Sequence, residues 1–371
     1  MDSIRIGLIG YGSMGSSHAR HFASKLIPGA HIAAVADVSE ANLQRARDVF
    51  GEQVKYVTNA SDMMASGTVD AVIVATAHFF HPPMAIEAFR HGLHVLIEKP
   101  AGVYTRHVRE MNAAAAASGK VFGIMFNQRT RPLHQKLREL VQSGELGSLK
   151  RINWIITDWY RTQAYYDSGG WRATWAGEGG GVLLNQCPHN LDLWQWICGM
   201  PRRVRAFCRF GTYHAIEVED DVTAYMEYAN GATGVLIAST GEAPCTNRLE
   251  IVGDNGKLVM EDQKVVFWRN RAGERQWNAT CKQGMEKPEC WKCEIPAAAR
   301  GEEHRDILKN WVSAIVNKTP LLASGEEGLH SLELSNAMLL SSWTDTWVDL
   351  PINDDRFYEH FQKRVEASKQ K

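Results

Sequence analysis

The residues best suited to chemistry in this chain of 371 residues are a lysine after an apolar strand and a histidine at the start of a helix. Lys99 follows the apolar residues 95–97 within the sequence Glu98-Lys99-Pro100. Desolvation or a neighbouring charge can lower the pKa of a lysine toward proton transfer, and Pro100 restrains the backbone before it. The ordinary alternative is that Glu98 and Lys99 are a surface pair at the end of a strand. The surrounding motifs have to decide between this and a catalytic lysine.

The histidine, His189, follows Gly179-Gly180-Gly181 and lies at the start of a predicted helix that begins near Pro188. Asp192 comes three residues later and shares its helix face, and Asn185 arrives just before the helix. Imidazole has an unperturbed pKa near neutrality, which suits it to accept the proton of an alcohol. A lone histidine on a helix is more often structural. The local sequence alone therefore leaves open whether His189 is catalytic.

A glycine-rich turn connects the predicted strand 4–9 to a predicted helix that runs from Ser13 to about Ser24. The first glycine of the motif allows a tight turn, the second lets the backbone approach a pyrophosphate, and the third lets the helix pack against the strand. The helix N-terminus offers free N–H groups to phosphates. We therefore predict that this turn binds a dinucleotide through Gly10, Tyr11, Gly12, Ser13, Met14 and Gly15.

An acidic residue, Asp37, follows the second predicted strand at the distance expected for a contact to the adenosine ribose. Its carboxylate can accept hydrogen bonds from the ribose hydroxyls and would repel a 2′-phosphate, so NAD is favoured over NADP. Arg45 and Arg47 lie only on the following helix. The alternative is that Asp37 merely caps that helix.

The first half of the chain alternates short apolar runs with helical segments, which indicates βαβ units and a parallel sheet. The predicted strands are residues 4–9, 31–36, 54–57, 71–75, 94–97 and 121–126, and the predicted helices are 13–24, 40–50, 61–66, 84–91 and 105–118. We assign residues 1–128 to an NAD-binding Rossmann-like domain. The fold class is α/β.

The second half, residues 129–371, predicts an α+β domain with a large, mostly antiparallel open sheet. Its predicted strands are residues 149–157, 204–210, 222–228, 233–239, 248–252, 257–260 and 265–268, and its other predicted helices are 133–143, 305–316 and 328–340. Asp254-Asn255-Gly256 is a typical hairpin turn. A loop between these elements is rich in aromatic and arginine side chains, which can be core or can bind the faces and hydroxyls of a sugar. The candidate substrate contacts in this loop are Trp159, Arg161, Trp171 and Arg172.

Composition excludes several classes of function. The chain is 44% hydrophobic and 22% charged with a net charge of -1, so nothing favours nucleic acid or an anionic membrane as partner. No apolar run approaches the ~20 residues of a membrane span, and no secretory leader is visible. Seven cysteines suit reduced thiols, so we expect a soluble, cytoplasmic protein. We predict no metal site: His78 with His81, and Cys290 with Cys293, both lack recognisable further ligands.

These motifs together resemble the Gfo/Idh/MocA family, which includes glucose–fructose oxidoreductase and inositol dehydrogenases. The resemblance is carried by residues 7–15 with His18, Asp37, Thr76 with His81, residues 94–100, and residues 127–129. It implies that Thr76, His81, Glu98, Lys99 and Asn127 also contact the cofactor. It further implies that C-terminal helices pack back on the first domain and that the sheet of the second forms a homodimer or homotetramer.

The glycines 179–181, His189 and Asp192 also match the family, in which this histidine is catalytic. Asn185 departs from it, because the family usually has Asp there, and Ala77 stands where proline is common. Asn185 can bind a hydroxyl but cannot act as a base.

We therefore expect an oxidoreductase that transfers a hydride between a secondary hydroxyl of a sugar, glycoside or cyclitol and NAD. Lys99 and His189 would handle the proton and stabilise the reacting oxygen, and Asn185 and Asp192 would bind substrate. One alternative is an enzyme that retains NAD and cleaves glycosides by oxidation, elimination and reduction. Another is a non-catalytic NAD-binding regulator.

Overall fold

The computed structural model describes residues 3–297 and 301–369, so the outer ends of the two predicted domains, at 1 and 371, lie outside the described residues. The chain divides into two compact units, Met1–Thr130 with Gly301–Leu332 and Arg131–Arg300 with Glu333–Lys371. Within the described part of the chain, no helix has the length and apolar character needed to cross a bilayer.

The first unit is built on a parallel sheet of six strands. Its strands are β1 (Ile4–Ile9), β2 (Ala30–Ala36), β3 (Lys55–Val57), β4 (Ala71–Val74), β5 (His94–Ile97) and β6 (Phe122–Ile124). They lie in the order β3-β2-β1-β4-β5-β6. The order reverses direction between β1 and β4, and ligands of open α/β sheets bind at the carboxyl ends of strands at such a point. The sheet therefore carries the turn after β1 and the turn after β5 on one edge.

Helices connect these strands as the alternating pattern predicts. They are α1 (Ser13–Ala23), α2 (Glu40–Phe50), α3 (Ala60–Ala65), α4 (His81–Arg90) and α5 (Thr105–Ser118), with short 3-10 turns at Gly51–Gln53, His78–Phe80 and Asn127–Thr130. β4, the last four residues of β1 and the last three of β5 are buried, which is typical of a parallel sheet with both faces covered.

A distant segment, Gly301–Leu332, completes the first unit. It contains the helix α10 (His304–Asn317) and a 3-10 turn at Gly325–Glu327. Trp311 of α10 is fully buried, and its ring lies against Gly123 of β6. The backbone N–H of Ile124 donates to the carbonyl of Ala323 at 3.2 Å.

The second unit contains a mixed sheet of nine strands in the order β14-β13-β12-β11-β7-β10-β9-β8-β15. Its strands are β7 (Leu149–Ile156), β8 (Arg203–Phe210), β9 (Glu219–Glu227), β10 (Thr233–Ser239), β11 (Asn247–Gly253), β12 (Gly256–Glu261), β13 (Lys264–Asn270), β14 (Cys290–Ile295) and β15 (Val348–Asp349). All neighbouring pairs are antiparallel except β7 with β10, which are parallel. This confirms the predicted fold class, a parallel domain followed by a mostly antiparallel one.

The remaining helices are α6 (Pro132–Gln142), α7 (Gln163–Asp167), a π-helical turn (Val182–Gln186), α8 (Pro188–Cys198), α9 (Glu274–Thr280), α11 (Gly328–Thr344) and α12 (Asp354–Lys369). The division of the chain at Leu332 falls within α11. One face of the large sheet is buried: Trp194 of α8 packs on Gly234, and Ser341 of α11 accepts a hydrogen bond from the N–H of Ala206. Along each strand, residues of this buried face alternate with residues of the other face, which is partly exposed.

The structure differs from the sequence prediction at several element boundaries. α4 begins at His81 rather than at residue 84, because Pro82 and Pro83 fit the first turn of a helix. The prediction missed α7, α9, α12, β14 and β15. All seven cysteines lie in the described residues and are free thiols.

Candidate active site

The glycine-rich turn after β1 has the shape that a dinucleotide requires. Gly10 has φ +90°, and a Cβ there would lie 2.7 Å from the carbonyl oxygen of Ala75. A Cβ on Gly15 would lie 1.9 Å from the carbonyl oxygen of Gly10, so helix and turn pack too closely for a side chain. A Cβ on Gly12 would meet nothing within 4 Å. The turn therefore leaves open space at its middle glycine only.

This space lies at the N-terminus of α1, whose N-cap residue is Gly12 and whose first turn has no side-chain cap. Backbone N–H groups at such an end and the helix dipole favour a phosphate. Ser13 is exposed and Met14 is half-buried at the same end. Tyr11 is buried, and the guanidinium carbon of Arg45 lies 6.0 Å from its ring centroid. The open cradle and the uncapped helix end fit the pyrophosphate of a dinucleotide.

Asp37 follows β2 and is tied to the same turn. Its carboxylate accepts hydrogen bonds from the backbone N–H of Tyr11 at 2.6 Å and of Ser39 at 2.8 Å, and from the amide of Asn42 at 3.2 Å. Ser39, not Asp37, is the N-cap of α2. The half-buried carboxylate thus joins the glycine-rich turn to the start of α2.

Glu98 and Lys99 stand at the carboxyl end of β5. Glu98 is buried, and its Oε1 lies 2.6 Å from Nε2 of His18 on α1. Its Oε2 accepts the backbone N–H of Lys99 at 3.1 Å. Burial raises the pKa of Glu98, but the hydrogen bond from His18 and the charges of His18, His304 and Lys99 outweigh burial and lower the pKa to about 2. An ionised Glu98 therefore fixes the backbone of the half-buried Lys99.

His81 at the start of α4 joins two loops of the same sheet edge. Its Nδ1 lies 2.7 Å from the carbonyl oxygen of Pro100, and its Nε2 lies 3.0 Å from that of Thr76. Burial lowers the pKa of His81, against the two carbonyls, which raise it. Both ring nitrogens face carbonyl oxygens, which leaves neither directed at a metal ion. Ala77, where the family resemblance expects proline, has φ -67°, the value that proline would fix.

Asn127 follows β6 and is buried. Its Nδ2 donates to Oε2 of Glu303 at 2.9 Å, while its Oδ1 is buried and has no hydrogen-bond partner among the described residues. An orphaned buried acceptor is costly, so a bound group that donated to it would be stabilised. Asn127 thus fits a cofactor contact. Groups of His, Cys, Asp or Glu that could hold a metal ion are absent from residues 3–297 and 301–369.

In the second unit, a π-helical turn leads into α8 and carries Asn185. The turn is closed by the N–H of Cys187, which donates to the carbonyl of Val182 at 2.8 Å. Glu219 of β9 holds its beginning, since Oε1 accepts the N–H of Gly181 at 2.9 Å and of Leu183 at 3.0 Å. Glu219 is fully buried. Burial raises its pKa to about 7, against the N–H donors, which lower it, and with the charge of Glu178, which raises it further.

His189 and Asp192 lie in the first turns of α8, as predicted, and both are buried. Asp192 accepts a hydrogen bond from Nε2 of Gln195 at 3.0 Å. Asn190, next to His189, accepts the indole N–H of Trp159 at 2.9 Å. The aromatic loop is therefore anchored beside His189.

The predicted rim residues form two groups. Arg161 stacks near Trp159, with its guanidinium carbon 5.7 Å from the ring centroid, and donates to the carbonyl of Tyr160 at 2.8 Å. Arg172 lies 4.7 Å from the ring centroid of Trp171, which is 41% exposed.

No sequence pattern singled out Glu178, Glu219 or Tyr165. Glu178 is buried and contacts the amide of Asn185, which also donates to Oη of Tyr165 at 3.2 Å. In the sequence Glu178 reads as a surface acid, so no local pattern indicated its burial. Nothing in the sequence identified Glu219.

Comparison with known proteins identifies the class. A family model described as an oxidoreductase family with an NAD-binding Rossmann fold matches residues 4–126, and the model of the GFO/IDH/MocA C-terminal domain matches residues 134–259. The protein is therefore an NAD-dependent oxidoreductase. It belongs to the GFO/IDH/MocA family, which confirms the predicted family and cofactor.

Several relatives match almost the whole chain. It is 25% identical over 357 residues to inositol 2-dehydrogenase 2 of Paenarthrobacter aurescens, covering 92% of this chain and 97% of the relative. It is 23% identical over 391 residues to levoglucosan dehydrogenase of Pseudarthrobacter phenanthrenivorans, covering 95% and 99%. The crystal structure of the WlbA dehydrogenase from Bordetella pertussis, in complex with NADH and UDP-GlcNAcA, superposes with a TM-score of 0.79 at 25% identity, covering 95% and 100%.

Proposed function

We propose that this protein oxidises a secondary hydroxyl of a sugar, glycoside or cyclitol with NAD as acceptor. The observation that carries the proposal is Lys99, which follows β5 in the sheet whose first turn is the dinucleotide turn. An amine at this edge stands beside a bound cofactor in open α/β folds. The relatives named inositol 2-dehydrogenase 2 and levoglucosan dehydrogenase support a polyol substrate.

NAD supplies the hydride acceptor when bound. The turn residues Gly10, Tyr11, Gly12, Ser13, Met14 and Gly15 would hold its pyrophosphate and Asp37 its ribose. Thr76 and Asn127 would contact it further along the sheet edge, where the orphaned Oδ1 of Asn127 awaits a donor. Glu98 and His81 would act chiefly through the backbones of Lys99 and Pro100, to which their polar atoms are bonded.

Lys99 would donate a hydrogen bond to the reacting oxygen and stabilise its developing charge. Its backbone is held by the ionised Glu98, so little reorganisation is required. His189 would accept the alcohol proton, since imidazole can exchange a proton near neutral pH. Asp192 and Asn185 would orient substrate, and Trp159, Arg161, Trp171 and Arg172 would line its rim.

The test is a panel of sugars and cyclitols with NAD, read by NADH absorbance. Lys99→Ala and His189→Ala should each lower kcat by about 100-fold or more, the usual size of an acid–base contribution. Both variants should keep the NAD dissociation constant of the wild type. Exposed Lys55→Ala and His91→Ala are the matched controls. Normal turnover of both site variants would sink the mechanism.

The same assay separates the two alternatives. An enzyme that retains NAD and cleaves glycosides should copurify with cofactor and release cleaved sugar without bulk NADH. A regulator should bind NAD and turn over no polyol. We further propose a cytoplasmic location, which the seven free thiols support.

We also propose that the open face of the nine-stranded sheet forms a homodimer or homotetramer. By register, Phe207, Tyr225, Val235, Val259 and Trp268 share this face. Phe207 is 58% and Trp268 is 39% exposed, and exposed apolar side chains of this kind favour association. Light scattering should give a dimer or tetramer, and Val235→Arg, but not Val49→Arg on α2, should give the monomer. A monomeric wild type would contradict this assembly.

A further inference from the structure

A polar network in the second unit joins the loop before the π-helical turn to Asn185. Nδ2 of Asn185 contacts Oε1 of Glu178 and donates to Oη of Tyr165 at 3.2 Å. Nη1 of Arg172 donates to the same Oη at 3.0 Å and lies 3.9 Å from Oε1 of Glu178. The second oxygen of Glu178 accepts the N–H of Ala173 at 2.7 Å.

The chemistry of these groups fixes the direction of every hydrogen bond in the network. A guanidinium and an amide nitrogen only donate, and both oxygens of Glu178 act as acceptors here, since each receives an N–H group. The phenolic oxygen of Tyr165 therefore accepts twice, from Arg172 and from Asn185. Its own O–H hydrogen remains as a donor, and among the described residues no acceptor receives it.

The same network holds the Tyr165 ring in place. The guanidinium carbons of Arg161 and Arg172 lie 4.9 Å and 4.7 Å from its centroid. Glu178 is buried to 1% exposure and supplies the negative charge beside Arg172. Tyr165 itself is half-buried, so part of this side chain is accessible at the surface of this unit. A donor fixed in this way is set for an oxygen of a ligand.

We propose that Tyr165 contacts the substrate and donates its phenolic hydrogen to a substrate oxygen other than the one oxidised. Glu178 is a positioning residue, because it fixes the polarity of the Asn185 amide and thereby turns the Tyr165 hydrogen outward. The site thus prefers polyols that carry an acceptor oxygen at this position over their deoxy analogues. This inference rests on the proposed polyol oxidation.

The first test is Tyr165→Phe, assayed in the full-length protein with the best polyol of the panel. kcat/KM should fall about ten-fold, as loss of one hydrogen bond of about 1.4 kcal/mol predicts. NAD affinity should stay at the wild-type value, and Tm should fall, because Arg172 and Asn185 lose their acceptor oxygen. Tyr166→Phe is the matched control, because the buried Tyr166 hydroxyl donates inward to Thr240 at 3.0 Å. It should lower Tm and leave kcat/KM unchanged. Unchanged kcat/KM in Tyr165→Phe, or an equal fall in both variants, overturns the proposal.

The second test reverses the polarity of the network. Asn185→Asp alone should be destabilised, because it sets a carboxylate against Glu178. In the double variant Glu178→Gln/Asn185→Asp, the new amide at position 178 can donate to the new carboxylate at position 185. The pair again has one donor and one acceptor, and it keeps a single carboxylate. The double variant should recover Tm, but Tyr165 would now donate its hydrogen to residue 185. We expect kcat/KM as low as in Tyr165→Phe and no further loss when Tyr165→Phe is added. Recovery of full activity in the double variant would mean that Glu178 is only structural and would overturn its assigned role.

Failure of this inference is distinguishable from failure of the proposed function. If the wild type oxidises polyols and Tyr165→Phe does so equally well, only the inference fails. If the wild type oxidises no polyol, calorimetry in the presence of NADH can compare polyol binding by the wild type and by Tyr165→Phe. Binding that weakens in Tyr165→Phe supports the contact, and a wild type that binds none overturns both.

Discussion

Nε2 of His18 lies 2.6 Å from Oε1 of Glu98, and both side chains are buried beneath the turn that holds Lys99. The other oxygen of Glu98 accepts the N–H of Lys99. A helix of the cofactor domain and the catalytic lysine proposed above are therefore linked through one carboxylate. A substitution of His18 or Glu98 should therefore lower the stability of the protein and disturb the position of Lys99.

His18→Leu leaves that carboxylate buried without its partner, and it should lower the free energy of unfolding by about 3 kcal/mol or more. Adding Glu98→Gln should recover part of the loss, because it removes the unpaired charge. Urea denaturation measures both, with the half-buried His21→Leu on the same helix as control. No recovery in the double variant would show that charge pairing is not what the pair contributes.

Two glycines of the dinucleotide turn should fail in opposite ways. Gly12→Ala meets nothing within 4 Å and has φ -69°, so Tm should hold while the added methyl occupies the pyrophosphate space and weakens NADH binding ten-fold or more. Gly15→Ala places a Cβ 1.9 Å from a carbonyl oxygen, so this variant should have a lower Tm because the clash destabilises the fold itself. Thermal melts and NADH fluorescence titration separate the two. Tight binding by Gly12→Ala would place the pyrophosphate elsewhere.

Asp37→Ser should reduce the preference for NAD over NADP. Hydrogen bonds to a charged acceptor contribute about 1.5–3 kcal/mol, so NAD affinity should fall by roughly ten-fold or more. NADP should lose less, because the carboxylate no longer repels its 2′-phosphate. Titration with both cofactors gives the ratio, and Asp48→Ser on α2 is the control. A ratio that stays at the wild-type value would assign the discrimination to other residues.

Glu219 should make stability depend on pH near neutrality. Its folded pKa is raised from 4.5 to about 7, so the folded state binds more protons than the unfolded state between these values. Stability from this group is therefore full below pH 4.5 and is lost as pH rises toward 7, by about 3 kcal/mol at most.

Glu219→Gln keeps an oxygen for the N–H groups of Gly181 and Leu183 but cannot ionise. As pH rises from 5 to 8, the Tm of the wild type should fall relative to that of Glu219→Gln. The exposed Glu366→Gln variant should instead keep a constant Tm difference from the wild type. Parallel curves for Glu219→Gln and the wild type would mean that Glu219 keeps an ordinary pKa.

Local patterns predicted the first unit well. β1 matches its predicted range, Ile4–Ile9, because its last four residues form a buried apolar run that a glycine-rich turn ends. The glycine-rich turn and Asp37 could be singled out because a short motif and a fixed spacing along the chain carry their signal. β14 was missed since it is a largely exposed edge strand whose sequence, from Cys290 to Ile295, lacks apolar alternation.

The residues around Asn185 were harder to predict because their contacts depend on tertiary burial. Glu178 reads as a surface acid, and only the folded loop brings it against Asn185. The π-helical turn that carries Asn185 requires a bond across five residues, which no sequence period signals.

The segment Gly301–Leu332 has a consequence for synthesis on the ribosome. Ser324 bridges Gly123 on the edge strand β6, and Trp311 covers the same glycine, yet both residues emerge only after residues 131–300 have been translated. At roughly 5–20 residues per second, this interval lasts on the order of ten to thirty seconds. During that time the nascent cofactor domain exposes an unpaired strand edge, where a chaperone or a neighbouring nascent chain can bind.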